Sequence, residues 1–356
     1  MDAFSRHPAP DRLSDGIEAQ HGLAHVRTAL ALDAQEHAEQ LSGWQQRYDQ
    51  ITPGRYLGRL IEYHEQGMQA FREDASHALL QQCQTWADAI WIGVPTSVEP
   101  DALRINGRPL PSGNWMLRQG GEAFELQTPV GQGLHGVVIQ KHLLADTARA
   151  HGLSIDWNAW RQAEHLQVDH ADQLACQAAV NALLFPHTHV AAISASLKEL
   201  MVQVLATPPH WWGKSQASSR ASSPPPDRRA SLARSRRVVQ QAREIIEEAH
   251  QDRLSVPALC NRLHVSRRTL QYCFERVLGM SPMQYLRLAR LNAAQRQMRA
   301  SMRDGDDRVR IQDIAFQCGF WHMGQFSADY KQLFGETPSA SLSRWRNGAK
   351  RTFADF

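Results

Sequence analysis

The sequence predicts an α+β protein with two domains, a strand-rich N-terminal domain and an all-helical C-terminal domain. Three observations indicate this. The chain has 356 residues, enough for two domains that each bury a core. Short apolar runs between Gly and Pro turns occupy residues 54–141, and a helical period of apolar residues replaces them further on. A segment rich in Ser and Pro then separates the two halves of the chain.

The N-terminal domain, residues 1–206, is predicted to be a small β-barrel of the cupin-like type followed by helices. Its apolar runs include RYLGRLIEY, DAIWIGVPT, GEAFELQTP and HGVVIQK, and short strands with frequent turns are typical of small barrels and sandwiches. After Lys141 the period changes. In ISASLKELMVQVLA the apolar residues recur at helical spacing, at Ile193, Leu197, Met201 and Leu205.

Residues 207–234 are predicted to be a flexible linker. The segment contains three consecutive prolines, and between Lys214 and Arg234 almost no apolar side chain is larger than alanine. Such a segment cannot bury enough apolar surface to offset the entropy that it loses on ordering. The all-helical C-terminal domain is therefore expected at residues 235–351.

The net charge of +3 conceals a division between the two domains. Residues 1–206 carry 14 Lys+Arg against 23 Asp+Glu, a balance of −9. Residues 235–351 carry 20 Lys+Arg against 11 Asp+Glu, a balance of +9. A basic unit attached to an acidic one predicts that the C-terminal domain binds a polyanion.

Composition also predicts the compartment. The sequence has no run of eighteen apolar residues and its N-terminus lacks the apolar core of a signal peptide, so we expect no membrane partner. The five cysteines include no CxxC pair, which favours buried, reduced thiols in a cytoplasmic protein. Cys260, Cys273 and Cys318 fall on apolar faces of predicted helices and are expected in the core.

Two short helix pairs in the C-terminal domain resemble each other. The first is LSVPALCNRL, a turn at His264-Val265 and a helix from Ser266, and the second has its turn at Cys318-Gly319. The two units align if the second turn is one residue longer, and the matching pairs are Leu270 with Phe326, Phe274 with Tyr330, Leu278 with Phe334, Gly279 with Gly335 and Pro282 with Pro338. The sequence thus predicts two helix-turn-helix units joined by a long helix that begins at Ser281-Pro282.

The second helix of the first unit, VSRRTLQYCFERVLG, has a polar face at its N-terminal end beside a buried stripe of Leu270, Phe274 and Val277. The polar face consists of Ser266, Arg267, Arg268, Gln271 and Tyr272. In a helix-turn-helix this end enters the major groove, where Arg suits the acceptors of guanine and Gln suits adenine. We therefore predict DNA contact here, although a plain solvated face would show the same pattern.

The corresponding helix of the second unit is predicted to contact DNA through His322, Met323, Gly324, Gln325 and Ser327. It has no arginine on this side, so it either reads bases or only positions the domain through phosphates. For Trp321 the sequence favours a place in the core over a contact in the groove.

These residues bring out a resemblance to a known family. GFWHMGQFSADYKQLFGETPS, residues 319–339, resembles the DNA-binding domain of the AraC/XylS transcription regulators, and the likeness extends from about Arg236 to Arg346. It implies seven helices and two reading helices that enter adjacent major grooves about 34 Å apart. The final segment, SASLSRWR, departs from the family pattern and leaves the packing of the last helix open.

Within the family, WQQRYDQITPGRYLG and QAFREDASHALLQQC resemble regulators of ethanolamine-utilisation operons. The resemblance implies a transcription activator that responds to ethanolamine, with cobalamin as a co-effector and no covalently bound cofactor. It further implies contact with RNA polymerase and a homodimer, for which the helices between residues 171 and 206 are the candidates.

The effector site stays unknown at this level, and two other functions remain open. A cationic ligand needs a carboxylate and an aromatic face, and the strand region offers Glu62, Glu122, Glu125, Trp91 and Trp115. One alternative is a cupin-type metal-dependent oxidoreductase with a DNA-binding tail, although the close pair His187-Thr188-His189 reads as a surface loop and no catalytic or metal residues are assigned. The other is a constitutive regulator that senses no ligand.

Overall fold

The computed structural model describes residues 25–96, 103–161, 163–185, 189–206, 226–248, 254–303 and 310–354, with the helix but not the side chains of residues 226–230 and 348–354. The protein is of mixed α and β class, as predicted. Strands fill the N-terminal part and helices the C-terminal part.

Antiparallel strands form two sheets in the N-terminal domain. The strands are β1 His25–Ala31, β2 Gln45–Gln50, β3 Gly58–Glu65, β4 Met68–Ala75, β5 Leu79–Gln84, β6 Ala89–Pro95, β7 Arg104–Ile105, β8 Arg108–Pro109, β9 Asn114–Gln119, β10 Phe124–Thr128, β11 Gly133–Gln140 and β12 His165–Gln167. One sheet has the order β1-β3-β4-β11-β6-β9-β12 and the other β2-β5-β10-β7-β8. In the described part of the chain no strand pair joins the sheets, so the closed cupin-like barrel is not confirmed.

The seven-stranded sheet is the middle of three layers. Strand β6 shows why, because its side chains alternate between two separate cores. Ala89 and Trp91 pack between the sheets with residues of β2, β5 and β10, whereas Ile90, Ile92 and Val94 pack on the other face. Helices cover that face.

The helices of this domain are α1 Ala34–Ala38, α2 Lys141–Ala150, α3 Trp157–Trp160, α4 His170–Leu184 and α5 Val190–Ala206. The predicted helical stripe of α5 is confirmed, since Leu197, Met201 and Leu205 are buried against the sheet and Ile193 packs beside them. His187 and Thr188 lie outside the described residues.

Seven helices follow within the described residues, as the family resemblance implied. They are α6 Pro226–Glu248, α7 Val256–Leu263, α8 Arg267–Leu278, α9 Pro282–Arg303, α10 Ile311–Gln317, α11 Met323–Phe334 and α12 Pro338–Ala354. Helix α6 begins nine residues before the expected domain boundary, so residues 226–234 are helical. Its Ala, Leu and Arg residues favour a helix, and Leu232 packs against the first core of the domain. Residues 207–225 of the predicted linker lie outside the described residues.

The long helix α9 joins the two helix-turn-helix units through two separate cores. Its first half places Tyr285 and Leu286 in the core of the first unit, and its second half places Leu291 and Met298 in the core of the second. Helix α9 starts where the sequence predicted, and the Ser281 hydroxyl caps it by accepting a hydrogen bond from the backbone of Gln284 at 3.2 Å.

Charged residues join the two domains. Asp33, at the start of α1, accepts hydrogen bonds from Arg299 at 3.0 Å and from the indole of Trp345 at 3.0 Å, and it pairs with Arg344. This contact holds the last helix, whose packing the sequence left open. Burial lowers the pKa of Arg299, but the attraction of Asp33 and neighbouring glutamates outweighs that effect and raises the pKa above its ordinary value.

The cysteine predictions are confirmed for all five residues, which are buried and free, with Cys260, Cys273 and Cys318 in the helical cores. Burial raises the pKa of Cys318 to about 11. None of the helices in the described ranges is long and apolar enough to cross a membrane.

Asp33→Asn is expected to lower the free energy of unfolding by about 1–3 kcal/mol, because it removes the charge of a 2% exposed carboxylate with which Arg299 and Arg344 both pair. Asparagine still caps α1, so the change isolates the pairing between domains. The measurement is denaturant unfolding followed by circular dichroism. The control is Asp146→Asn, whose side chain is 60% exposed and pairs with Arg149 at the surface. We expect it to stay within about 0.5 kcal/mol of wild type, and equal losses would contradict the interface.

Candidate nucleic-acid interface

The turn of the first helix-turn-helix unit is fixed by local hydrogen bonds. His264 adopts the left-handed conformation that ends α7, with a φ of 52°. The backbone N–H of Val265 donates to the Cys260 carbonyl at 3.1 Å, and the Ser266 hydroxyl accepts from the Thr269 N–H at 3.1 Å. The predicted turn is therefore confirmed, and Ser266 caps α8. Together they set the direction in which α8 leaves the turn.

The second unit repeats this turn with one additional residue. Gly319 takes the left-handed position with a φ of 81°, and the Phe320 N–H donates to the Ala315 carbonyl at 2.9 Å. Trp321 is the additional residue, and His322 precedes α11 without a side-chain capping hydrogen bond. The predicted alignment of the two units is confirmed. The second reading helix nevertheless starts without the cap that stabilises the first.

The N-terminal end of α8 is exposed where the sequence predicted a reading face. Ser266, Arg267, Arg268 and Tyr272 are exposed, and Gln271 is half-buried. The Gln271 amide donates to the Glu275 carboxylate, and the Tyr272 hydroxyl accepts from Arg276 at 3.0 Å. Two cationic side chains thus lie at the helix N-terminus, the end that favours an anion.

The corresponding end of α11 carries no lysine or arginine. His322, Gly324 and Gln325 are exposed, whereas Met323 and Ser327 are half-buried. Met323 packs against the core of the second unit.

The Gln325 amide donates to Asp329, a buried carboxylate that also accepts two hydrogen bonds from Arg287. The exposed face of this helix therefore presents the imidazole of His322 and the amide of Gln325. The amide is already hydrogen-bonded within the protein.

Two residues lie near this surface although the sequence did not predict them to be part of it. Trp321 is 49% exposed and packs its ring against Phe316 at a centroid distance of 5.8 Å, so the expected place in the core is wrong. Trp321 is the additional residue of the second turn and has no counterpart in the first unit, so the longer second turn was the signal. Arg287 lies half-exposed on α9 beside the second reading helix, and nothing in the local pattern of the sequence singled it out.

Arg290 connects the two units from the middle of α9. Its guanidinium donates to the Leu254 carbonyl at 2.6 Å, just before the first unit. On its other side it lies against Gly319 in the second turn, where an added Cβ would come within 3.2 Å of its Nε. Burial lowers the pKa of Arg290. This side chain therefore contacts both units.

The candidate effector residues do not form one group. Trp91 and Glu62 face the space between the two sheets, whereas Trp115 lies on the opposite face of the seven-stranded sheet. Glu122 pairs with Arg118 at the surface.

Glu125 pairs with Arg243 in a cavity of about 330 Å³ between α6 and the five-stranded sheet. Within the described ranges no cluster of three His, Cys, Asp or Glu side chains could hold a metal ion.

Comparison with known proteins concerns the same region. Residues 259–344 match a family model described as a helix-turn-helix domain. A probable thc operon regulatory protein from Rhodococcus erythropolis is 33% identical over 105 residues, covering 30% of this chain and 31% of that protein. The XylDLEGF operon transcriptional activator from Pseudomonas putida is 36% identical over 107 residues, which cover 30% of this chain and 31% of that protein.

A solved structure of a probable AraC family transcriptional regulator from Rhodopseudomonas palustris CGA009 is 32% identical, covers 31% of this chain and 98% of that chain, and gives a TM-score of 0.28. The present chain thus spans about a third of the length of the two curated relatives it matches. All three proteins are named as regulators, and the likeness lies in the C-terminal domain.

The equivalent glycines Gly279 and Gly335 provide a matched test of the surroundings of the two reading helices. Both end a helix with a φ near 70°, which costs alanine about 1–2 kcal/mol. Gly279 has open space around it, whereas a Cβ on Gly335 would lie 2.7 Å from the backbone nitrogen of Arg55.

We therefore expect Gly335→Ala to lower the unfolding midpoint in denaturant more than Gly279→Ala does. Equal shifts would show that the loop at Arg55 does not rest on α11 in solution.

Proposed function

We propose that the whole protein is a DNA-binding transcription activator whose C-terminal helix-turn-helix domain is of the AraC/XylS type. The observation that carries this proposal is the repeated unit, in which two equivalent helices each expose their N-terminal end. The matched relatives that are named as activators or regulators support it. In this proposal the protein works by binding in the cytoplasm, and it carries out no catalytic step.

Helix α8 is the main reader in this proposal. Arg267 and Arg268 would donate to guanine or to phosphates, and Gln271 would exchange its bond with Glu275 for the edge of an adenine. That exchange has a cost, because one hydrogen bond must break before the other forms. Helix α11 would contribute His322, Gln325 and Ser327, with Gly324 allowing a close approach of the backbone to DNA.

Arg268→Ala combined with Gln271→Ala is expected to weaken binding to the protein's own promoter by about 1–3 kcal/mol for each base that the variant no longer reads. Titrations by fluorescence anisotropy, against the promoter and against a scrambled duplex, measure both affinity and preference. The matched control is Arg149→Ala with Gln45→Ala, which removes the same residue types from exposed positions on the N-terminal domain. An unchanged affinity and preference in the first variant would reject α8 as the reader.

The proposed effector is ethanolamine, bound between the sheets. Glu62 there accepts from the Ser42 hydroxyl at 3.1 Å and lies beside the amide of Gln69, whose oxygen accepts from the indole of Trp44 at 2.8 Å. The Trp44 ring is perpendicular to that of Trp91 at 5.9 Å. A carboxylate, a hydroxyl and aromatic faces are the groups that suit a small hydroxylated ammonium ion.

Two further features support an inter-sheet site. The buried indole Nε1 of Trp91 has no hydrogen-bond partner among the described residues, so a ligand hydroxyl could accept from it. Arg27, which is half-exposed, pairs with Glu62 at 2.7 Å and would give way to the ligand cation. Cobalamin is proposed as a co-effector on the family resemblance alone.

The remaining proposed partners are a second copy of the chain and RNA polymerase. Helix α4 exposes Leu174, and Phe185 directly after it is also exposed, which suits a homodimer contact through α4 and α5. Contact with RNA polymerase follows from the proposed role as an activator, and no residue is assigned to it.

Ethanolamine is expected to raise the melting temperature of the full-length protein, since a ligand at 100 times its dissociation constant adds about 2.7 kcal/mol to the stability. Glu62→Gln should abolish the shift, because it removes the charge that the ammonium group needs. Glu122→Gln, at the surface, is the control and should retain it. The same screen with cobalamin tests the co-effector. If neither compound shifts the wild-type protein, the chain is a regulator that does not sense them.

A further inference from the structure

The N-terminal domain holds the C-terminal end of the first reading helix. Arg104, on β7, donates from its guanidinium to the carbonyl of Arg276 at 3.2 Å and lies 3.5 Å from that of Val277. Gln127, on β10, donates its amide to the carbonyl of Leu278 at 3.1 Å. The last carbonyls of a helix have no partner within it, so side chains of the sheet domain supply the missing donors. The end of α8 is thereby tied to the five-stranded sheet.

The same domain holds the C-terminal end of the second reading helix. The carbonyl of Leu333 accepts from the backbone N–H of Gly54 at 3.0 Å and from the side-chain amide of Gln50 at 2.8 Å. The loop after β2 passes so close to the end of α11 that a Cβ on Gly335 would contact the backbone of Arg55. Both reading helices are thus held at the same end, by the same sheet.

Between these contacts at the ends of α8 and α11, the end of β2 is hydrogen-bonded to the middle of α9. The backbone N–H of Gln50 donates to the side-chain oxygen of Asn292 at 3.0 Å, and the side-chain nitrogen of Asn292 donates to the Gln50 carbonyl at 3.0 Å. Gln50 is 1% exposed and Asn292 2%. Asp49, the neighbouring residue, pairs with Arg296 one turn further along α9.

The opposite ends of the reading helices remain exposed. Each has 12 residues and is therefore about 18 Å long, and the held carbonyls lie at the opposite end of the helix from Arg267 and from His322. The docked domain covers neither Arg267 and Arg268 nor His322 and Gln325, which are all exposed. Docking of the sheet domain therefore leaves both reading faces accessible.

We propose that the N-terminal domain is a brace that fixes the orientation of the two readers relative to each other, with Gln50 and Asn292 as its central positioning residues. The proposal rests on the proposed DNA-binding function. The physical reason is preorganisation: two readers already held in one orientation lose less conformational freedom when both enter DNA. A buried amide pair suits this task, because a small displacement that keeps the pair buried leaves its hydrogen-bonding groups without partners and without water.

The first experiment needs no DNA. Hydrogen–deuterium exchange with fragment analysis follows the backbone amides of Gln50 and Gly54 in the full chain, since both donate across the domain interface. We expect protection in the wild-type protein and exchange about tenfold faster or more in Asn292→Ala. Gln45→Ala, on the exposed start of the same strand, is the control and should keep wild-type exchange. Exchange at Gln50 and Gly54 as fast as in an unstructured peptide in the wild-type protein would overturn the brace.

The second experiment compares two duplexes derived from the segment that the wild-type protein protects on its own promoter. One carries both contact sites and the other has the second site replaced. Gln50→Ala and Asn292→Ala are expected to bind the two-site duplex roughly three- to tenfold more weakly, and the one-site duplex as the wild type does. Arg104→Ala, at a half-buried position, is a milder variant with the same expected pattern should the buried substitutions impair folding.

The outcomes separate the two proposals. A wild-type protein that shows no preference for its promoter would reject the proposed function, while the exchange result would still report on the domain contact. A wild-type preference that all three variants retain on the two-site duplex would overturn the brace alone. Tighter binding by these variants would also overturn it, since the docked domain would then restrain the readers.

Discussion

Burial of charge between the two domains is the constraint on which the rest of the arrangement depends. Asp33 is almost fully buried and accepts hydrogen bonds from its own helix α1, from Arg299 and from Trp345. A carboxylate removed from water is tolerated only with such partners, so the helical domain must dock where its arginines can reach it. Asp49 with Arg296 and Glu125 with Arg243 extend the same pairing along the interface.

The pairing changes the meaning of the charge division in the sequence. The surplus of +9 in the C-terminal half suggested a domain built for a polyanion, yet several of its arginines neutralise carboxylates of the acidic half. The positive charge that these pairs leave exposed includes Arg267 and Arg268, which lie at the start of α8 beside the helix N-terminus.

The two reading helices are equivalent in backbone but not in chemistry. The first has a capped start and two cations, whereas the second has no side-chain cap, a partly packed Met323 and an amide bonded to Asp329. The lack of lysine and arginine on its face gives the second unit less electrostatic attraction to phosphates, and the exposed Trp321 adds an apolar surface beside it. The first unit is therefore the stronger candidate for base recognition.

The sequence by itself determined the two helix-turn-helix units, down to the turns at His264-Val265 and Cys318-Gly319 and the additional residue of the second turn. These features follow from contacts within a few residues, so their signals lie in the local pattern. The helical period of α5 and the buried thiols were equally readable. The start of α6 was misplaced, because its residues are polar and its burial depends on a distant core.

Only the tertiary structure decided how the strands are divided between two sheets, that Trp91 and Trp115 lie on opposite faces of one of them, and that Gln50 meets Asn292 across 242 residues of sequence. Alternation along a strand shows that two faces differ, but not which partner each face will meet. Pairings of this kind bring together residues far apart in the chain, and no local pattern encodes them.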